Sequence, residues 1–132
     1  EEERGEGPGE GFNVNYPMPE RLDGARYAET LQRALSRIRR FSPKFVVLAL
    51  GLDTGKGDPT GSWSLGVKDF EHNGRLIGGL GLPTLVVQEG GYRNRTLGRN
   101  ARRFFEGLAR SAFALTPALQ TSAASRAGNT PR

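Results

Sequence analysis

Two apolar runs constrain this chain more than anything else in it. Val46-Val47-Leu48-Ala49-Leu50 ends in Gly51-Leu52-Asp53, and Thr84-Leu85-Val86-Val87-Gln88 ends in Glu89-Gly90-Gly91-Tyr92. Each has the length and branching of a buried strand, and each stops at glycine and a polar group. The residues between them carry a helical pattern. Strand, crossover helix and strand in that order give a parallel pair. Both carboxyl ends then lie on one sheet edge, where open α/β sheets bind their ligands. Asp53 and Tyr92 are therefore expected near one another at the mouth of a site. A carboxylate and a phenol there suit a metal ligand and an oxyanion donor.

The rest of the chain supports a small α/β unit. Asp23 is placed to cap a helix running to about Arg40, with Tyr27, Leu31, Ala34, Leu35 and Ile38 as its buried stripe. The first run, Phe45 to Leu50, is continuously apolar, which predicts a strand covered on both faces. Gly51 to Trp63 reads as a loop. A second helix is predicted from about Leu65 to Ile77, with Val67, Phe70, Gly74 and Ile77 inward and Gly78, Gly79 and Gly81 stopping it. A third spans about Thr96 to Ala114, with Leu97, Ala101, Phe104, Phe105 and Leu108 inside. Phe12 to Tyr16 alternates and predicts a short strand ended by Pro17 and Pro19. Residues 1–11 are expected to be disordered or extended, 12–115 to be the folded unit, and 116–132 to be a disordered tail. Two or three strands need neighbours to bury their faces, so further structure is expected to complete the sheet.

Charge and composition narrow the function. The 132 residues include no cysteine, which removes disulfides and thiolate metal sites. No apolar run reaches the ~20 residues that span a bilayer. The acidic start Glu1-Glu2-Glu3-Arg4 is unlike a signal peptide, so a cytoplasmic location without membrane attachment is expected. The net charge of +5 comes mostly from arginines such as Arg33, Arg37, Arg102 and Arg103, on the polar faces of predicted helices. With no aromatic interleaving, they read as solvated faces rather than a nucleic-acid surface.

Three segments together resemble a family. Leu50-Gly51-Leu52-Asp53-Thr54, with Gly57-Asp58-Pro59 and Gly61-Ser62-Trp63-Ser64-Leu65 after it, resembles the zinc-binding segment of histone deacetylases and acetylpolyamine amidohydrolases. Glu89-Gly90-Gly91-Tyr92 is similar to that family's catalytic tyrosine turn, and Phe12-Asn13-Val14-Asn15-Tyr16-Pro17-Met18-Pro19 to the segment preceding both. Order and approximate spacing agree from about Gly5 to Leu108. The resemblance implies a partial three-layer arginase/deacetylase-like fold, a parallel sheet flanked by helices. Only the carboxyl-terminal part of the family's catalytic domain is matched, and an amino-terminal half is expected to be missing.

What the resemblance implies for chemistry can be set against the plain reading of each residue. Asp53 matches one of the family's three zinc ligands; by itself it would also serve as an ordinary turn or cap aspartate. Tyr92 matches the family's oxyanion donor; by itself it could simply pack at a strand end. Gly90 and Gly91 would leave room for an acyl chain, and Thr60 matches a position lining the substrate channel. Glu89 would support this turn. Asp58 is expected to shape its loop by capping nearby amides. The other two ligands and the paired histidines lie upstream in the family. His72, the single histidine, falls on the polar side of the second helix and matches none of them. Gly55-Lys56 is one residue short of a phosphate loop, and Gly57 stands where Ser or Thr is required. The glycines at 5, 7, 9 and 11 follow no strand and make no dinucleotide fingerprint.

The resulting expectation is the carboxyl-terminal fragment of a zinc-dependent deacetylase that hydrolyses N-acetyl amides of lysine or polyamines. The catalytic residue would be Tyr92, the metal ligand Asp53, and the substrate wall Gly90, Gly91 and Thr60. The zinc site would be incomplete and the isolated chain inactive. The alternative is a non-catalytic α/β interaction or structural module.

Overall fold

A computed structural model describes residues 3–114. The expected tail, and the first two residues of the expected amino-terminal segment, lie outside the described residues. A 3-10 turn at Gly7–Gly9 precedes helix α1 (Gly24–Phe41), strand β1 (Val46–Leu50), helix α2 (Val67–Gly78), strand β2 (Thr84–Gln88) and helix α3 (Asn94–Ala114). The strands pair in parallel, in register from Val46 opposite Thr84 to Leu50 opposite Gln88. The predicted crossover is thus present, and both strands end on the same edge.

Local chemistry sets the bounds of α1. The Asp23 carboxylate accepts the Arg26 N–H at 2.9 Å, satisfying an amide the first turn leaves open. At the other end Ser42 takes a left-handed conformation, φ 53°, and its N–H returns to the Ile38 carbonyl. Pro43 then prevents continuation. In α2, Asp69 accepts the Gly66 N–H at 2.7 Å.

One core unites the elements. Leu35 of α1, Leu50 of β1, Phe70 and Ile77 of α2 and Phe104 of α3 close over Leu52 and Leu65. Helices α2 and α3 approach until their backbones touch. A β-carbon on Gly74 would overlap the Phe104 carbonyl oxygen, and one on Gly107 the Glu71 carbonyl oxygen. Around this seam Glu71 pairs with Arg75, Arg103 and Arg110.

Three expectations are corrected here. Both faces of the sheet were expected to be covered, but among the described residues the helices cover one. Leu48, Leu50 and Val86 point into the core. Val47, Leu85 and Val87 alternate with them and are 59%, 62% and 44% exposed. An apolar run states what a strand could bury on either side; a two-stranded sheet offers only what the chain packs against it. Phe12 to Tyr16 forms no strand. A ladder needs a neighbour, and this segment instead lies beside α1, with Phe12 edge-on to Phe41 and Arg33 over the Tyr16 ring. Finally, Phe105 is not inside the core but substantially exposed.

Candidate functional site

The edge where both strands end is built from two loops. The first, 51–66, is closed on itself. Lys56 N–H donates to the Leu65 carbonyl at 2.9 Å, and Gly55 and Leu65 form an isolated parallel bridge. The second is the short turn Glu89 to Arg93, leading directly into α3. Beyond the strands the loops continue to pair, Glu89 N–H to the Leu50 carbonyl and Leu52 N–H to the Gly90 carbonyl.

Asp53 stands at this junction, half-buried. Its Oδ1 is 2.6 Å from where a β-carbon on Gly51 would lie and 2.7 Å from the same point on Gly90. A β-carbon on Gly61 would come within 2.6 Å of the Asp53 carbonyl oxygen. Three glycines thus make the space this aspartate occupies. It opens on a cleft of about 270 Å³ lined also by Thr54, Thr60, Gly61, Ser62 and Trp63. Larger clefts lie elsewhere, between the amino-terminal segment and α1. Tyr27 of α1 packs edge-on to Trp63. Burial, and then the nearby Asp53 charge, push the Tyr27 phenol above its ordinary pKa.

Tyr92 is held by its backbone rather than its ring, and 58% of the residue is exposed. Its N–H donates to Asp58 Oδ2 at 2.7 Å, and the next amide, of Arg93, donates to the same oxygen at 3.1 Å. Asp58 Oδ1 accepts the Thr60 N–H at 3.0 Å and the Thr60 hydroxyl at 2.8 Å. Asp58 is only 5% exposed. Burial pushes its carboxyl up, but these hydrogen bonds outweigh that and hold it below the ordinary aspartate range. A second tie runs from the Arg93 guanidinium to the Lys56 carbonyl at 2.6 Å. Gly57, at φ +78°, leaves the room; a side chain there would overlap that guanidinium.

The residues singled out from sequence are thus distributed as follows. Asp53 and Thr60 line one cleft, with Gly90 against the Asp53 carboxylate. Gly91, at φ +127°, packs against Leu52 and Leu97. Tyr92 lies outside that cleft's lining and joins the same loop through Asp58. Glu89 is exposed after β2, and His72 is exposed on α2. Two features escaped the sequence reading. The Tyr27–Asp53 proximity had no sequence signal beyond a helical stripe. The Asp58 cap on Thr60 follows from an aspartate two residues ahead of it, but its reach to Tyr92 spans 34 positions.

A zinc site of catalytic type takes three protein ligands. Asp53 carries a carboxylate at this sheet edge. Among the described residues no group of three or more His, Cys, Asp or Glu side chains could hold a metal ion. No described helix is long and apolar enough to cross a membrane.

Residues 1–108 match the histone deacetylase domain family. The acetylpolyamine amidohydrolase of Burkholderia pseudomallei is 46% identical over 108 residues, which are 82% of this chain and 32% of that protein. The acetylpolyamine amidohydrolase of Mycoplana ramosa is 38% identical over 108 residues, again 82% of this chain and 32% of the relative. Human histone deacetylase 1 is 31% identical over 96 residues, 72% of this chain and 20% of the relative. A crystal structure of the Burkholderia pseudomallei acetylpolyamine aminohydrolase superposes with a TM-score of 0.78, covering 81% of this chain and 31% of that one. The α/β fold is thus of the deacetylase type, and the chain spans about a third of the length of the acetylpolyamine amidohydrolases it matches.

Proposed function

Because this chain belongs to the histone deacetylase domain family, we propose that it forms part of a zinc-dependent deacetylase hydrolysing N-acetyl amides. Asp53 is its contribution to the metal, as one oxygen donor among ligands that come from outside the described residues. Tyr92 is its contribution to the reaction. A phenol hydroxyl aimed at the reacting carbonyl donates a hydrogen bond that strengthens as oxygen gains charge. Gly90 and Gly91 keep that approach free of side chains, and Thr60 forms part of the wall beside Asp53. The observation that carries the reading is the meeting of both loops at one sheet edge, with the Asp53 carboxylate against Gly90.

The substrate is an acetylated polyamine or acetyl-lysine. The polyamine is favoured because the relatives at 46% and 38% identity are acetylpolyamine amidohydrolases, while the histone deacetylase stands at 31%. The cytoplasm is the proposed location. The non-catalytic module is not favoured, since residues 1–108 match an enzyme domain. The isolated chain is expected to be inactive for want of the remaining ligands.

Two variants test the reading in a deacetylase domain that carries this segment. Asp53→Ala removes a direct ligand, so zinc per protomer and turnover should fall together. Tyr92→Phe keeps the ring and removes only the hydroxyl. It should lower kcat on the order of 10²–10³-fold, about 2.7–4 kcal/mol, with zinc retained. KM should stay near its starting value, because ground-state binding is mostly untouched. A Tyr92→Phe enzyme with normal kcat would return Tyr92 to a packing role.

A further inference from the structure

We propose that Asp58 is a positioning residue for Tyr92: one carboxylate oxygen fixes the loop after β1, the other fixes the turn after β2, and so the two stay in register. The inference rests on the deacetylase reading for what Tyr92 does, but its geometry stands apart from that reading.

The two oxygens divide their work. Oδ1 takes both donors of Thr60, within the loop that holds Asp53. Oδ2 takes the consecutive amides of Tyr92 and Arg93. Two successive N–H groups converging on one carboxylate oxygen fix the path of the chain at that point. The Tyr92 ring has no comparable grip, being more than half exposed. Its direction is therefore inherited from its backbone, and its backbone from Asp58. The Arg93 tie to the Lys56 carbonyl joins the same two loops and opposes their sliding.

Four donors on two oxygens require a carboxylate. An asparagine offers one acceptor and one NH₂ group. Facing Thr60 with its oxygen, it would press its NH₂ against the Tyr92 and Arg93 amides; turned over, it would abandon Thr60. Asp58→Asn is therefore a near-isosteric change that must break one side of the link.

The test has two arms. In the isotope-labelled deacetylase domain that carries this segment, scalar coupling across the hydrogen bonds should connect the Tyr92 and Arg93 amide nitrogens to the Asp58 carboxylate carbon. Absence of that coupling would overturn the proposal without any substitution. In the zinc-loaded deacetylase domain, Asp58→Asn should lower kcat about 10²-fold, the cost of misplacing a reacting group by roughly an ångström. KM and zinc content should hold. In a Tyr92→Phe background the same substitution should cost no more than about twofold, because the hydroxyl it positions is gone. Equal losses in both backgrounds would show that Asp58 does not act through Tyr92. Coupling present together with a parent domain that never turns over would leave the link standing and sink the deacetylase reading.

Discussion

Asp53 Oδ1 lies 2.7 Å from the point where Gly90 would carry a β-carbon, so the first loop's carboxylate fills space that the second loop leaves empty. No side chain can be added at Gly90 without moving that oxygen. Gly90→Ala should therefore behave like a partial loss of Asp53. In a deacetylase domain carrying this segment, zinc retention against a chelator should fall while the melting temperature stays within a few degrees. Unchanged retention would show that the carboxylate has room to swing aside.

A second prediction concerns the helix seam. Gly107 faces the Glu71 carbonyl with no space for a methyl group. Gly107→Ala ought to raise intrinsic helix propensity, yet the overlap with backbone should dominate and cost about 1–3 kcal/mol. Thermal unfolding measures the balance. A stabilised variant would mean that the helices can separate at little cost.

Acid should loosen the Tyr92 turn only at low pH. Asp58 titrates below its ordinary value of 3.8 because its hydrogen bonds outweigh burial. A depressed carboxylate contributes stability that is complete above its unfolded pKa and is lost as pH falls through the folded one. The Tyr92 and Arg93 amides should thus stay put down to pH 4 and shift only below the ordinary aspartate value. The adjoining loops also carry the acids Asp53 and Glu89 and the bases Lys56 and Arg93. Amide shifts that move with a midpoint above 4 would contradict this.

The fourth prediction follows from the uncovered sheet face. Phe45, Val47, Leu85 and Val87 together form an exposed apolar surface. The 132-residue chain on its own should self-associate with rising concentration. Val47→Lys with Leu85→Lys should shift sedimentation toward the monomer. A wild-type chain that sediments as a monomer at high micromolar concentration would refute the expectation.

Much of this was readable in the residues. Leu35, Phe70, Ile77 and Phe104 recur at the helical period and do form the core. The paired apolar runs do make a parallel ladder, and Asp53 and Thr60 share a cleft because one short loop carries both. What escaped the reading depends on contacts between distant segments. Phe105 satisfies the helical period as well as Phe104 does, but neighbouring helical positions point about 100° apart, and only one could enter the core. Gly107 reads as a weakness in a helix until the backbone of α2 is set against it. Asp58 reads as a local cap, because its nearest donors are local and the others lie 34 and 35 positions away.

The backbone contact between α2 and α3 has a consequence for how this segment can change over time. Helix α3 starts at Asn94, two residues after Tyr92, and its spacing from α2 is set by glycines already at contact. The phenol therefore hangs from an anchor that cannot be nudged by resizing a core side chain. Drift in what this sheet edge accommodates would have to be written into exposed loop positions such as Thr60 and Ser62, since Leu52, Gly55 and Leu65 of the same loop pack against the helix pair.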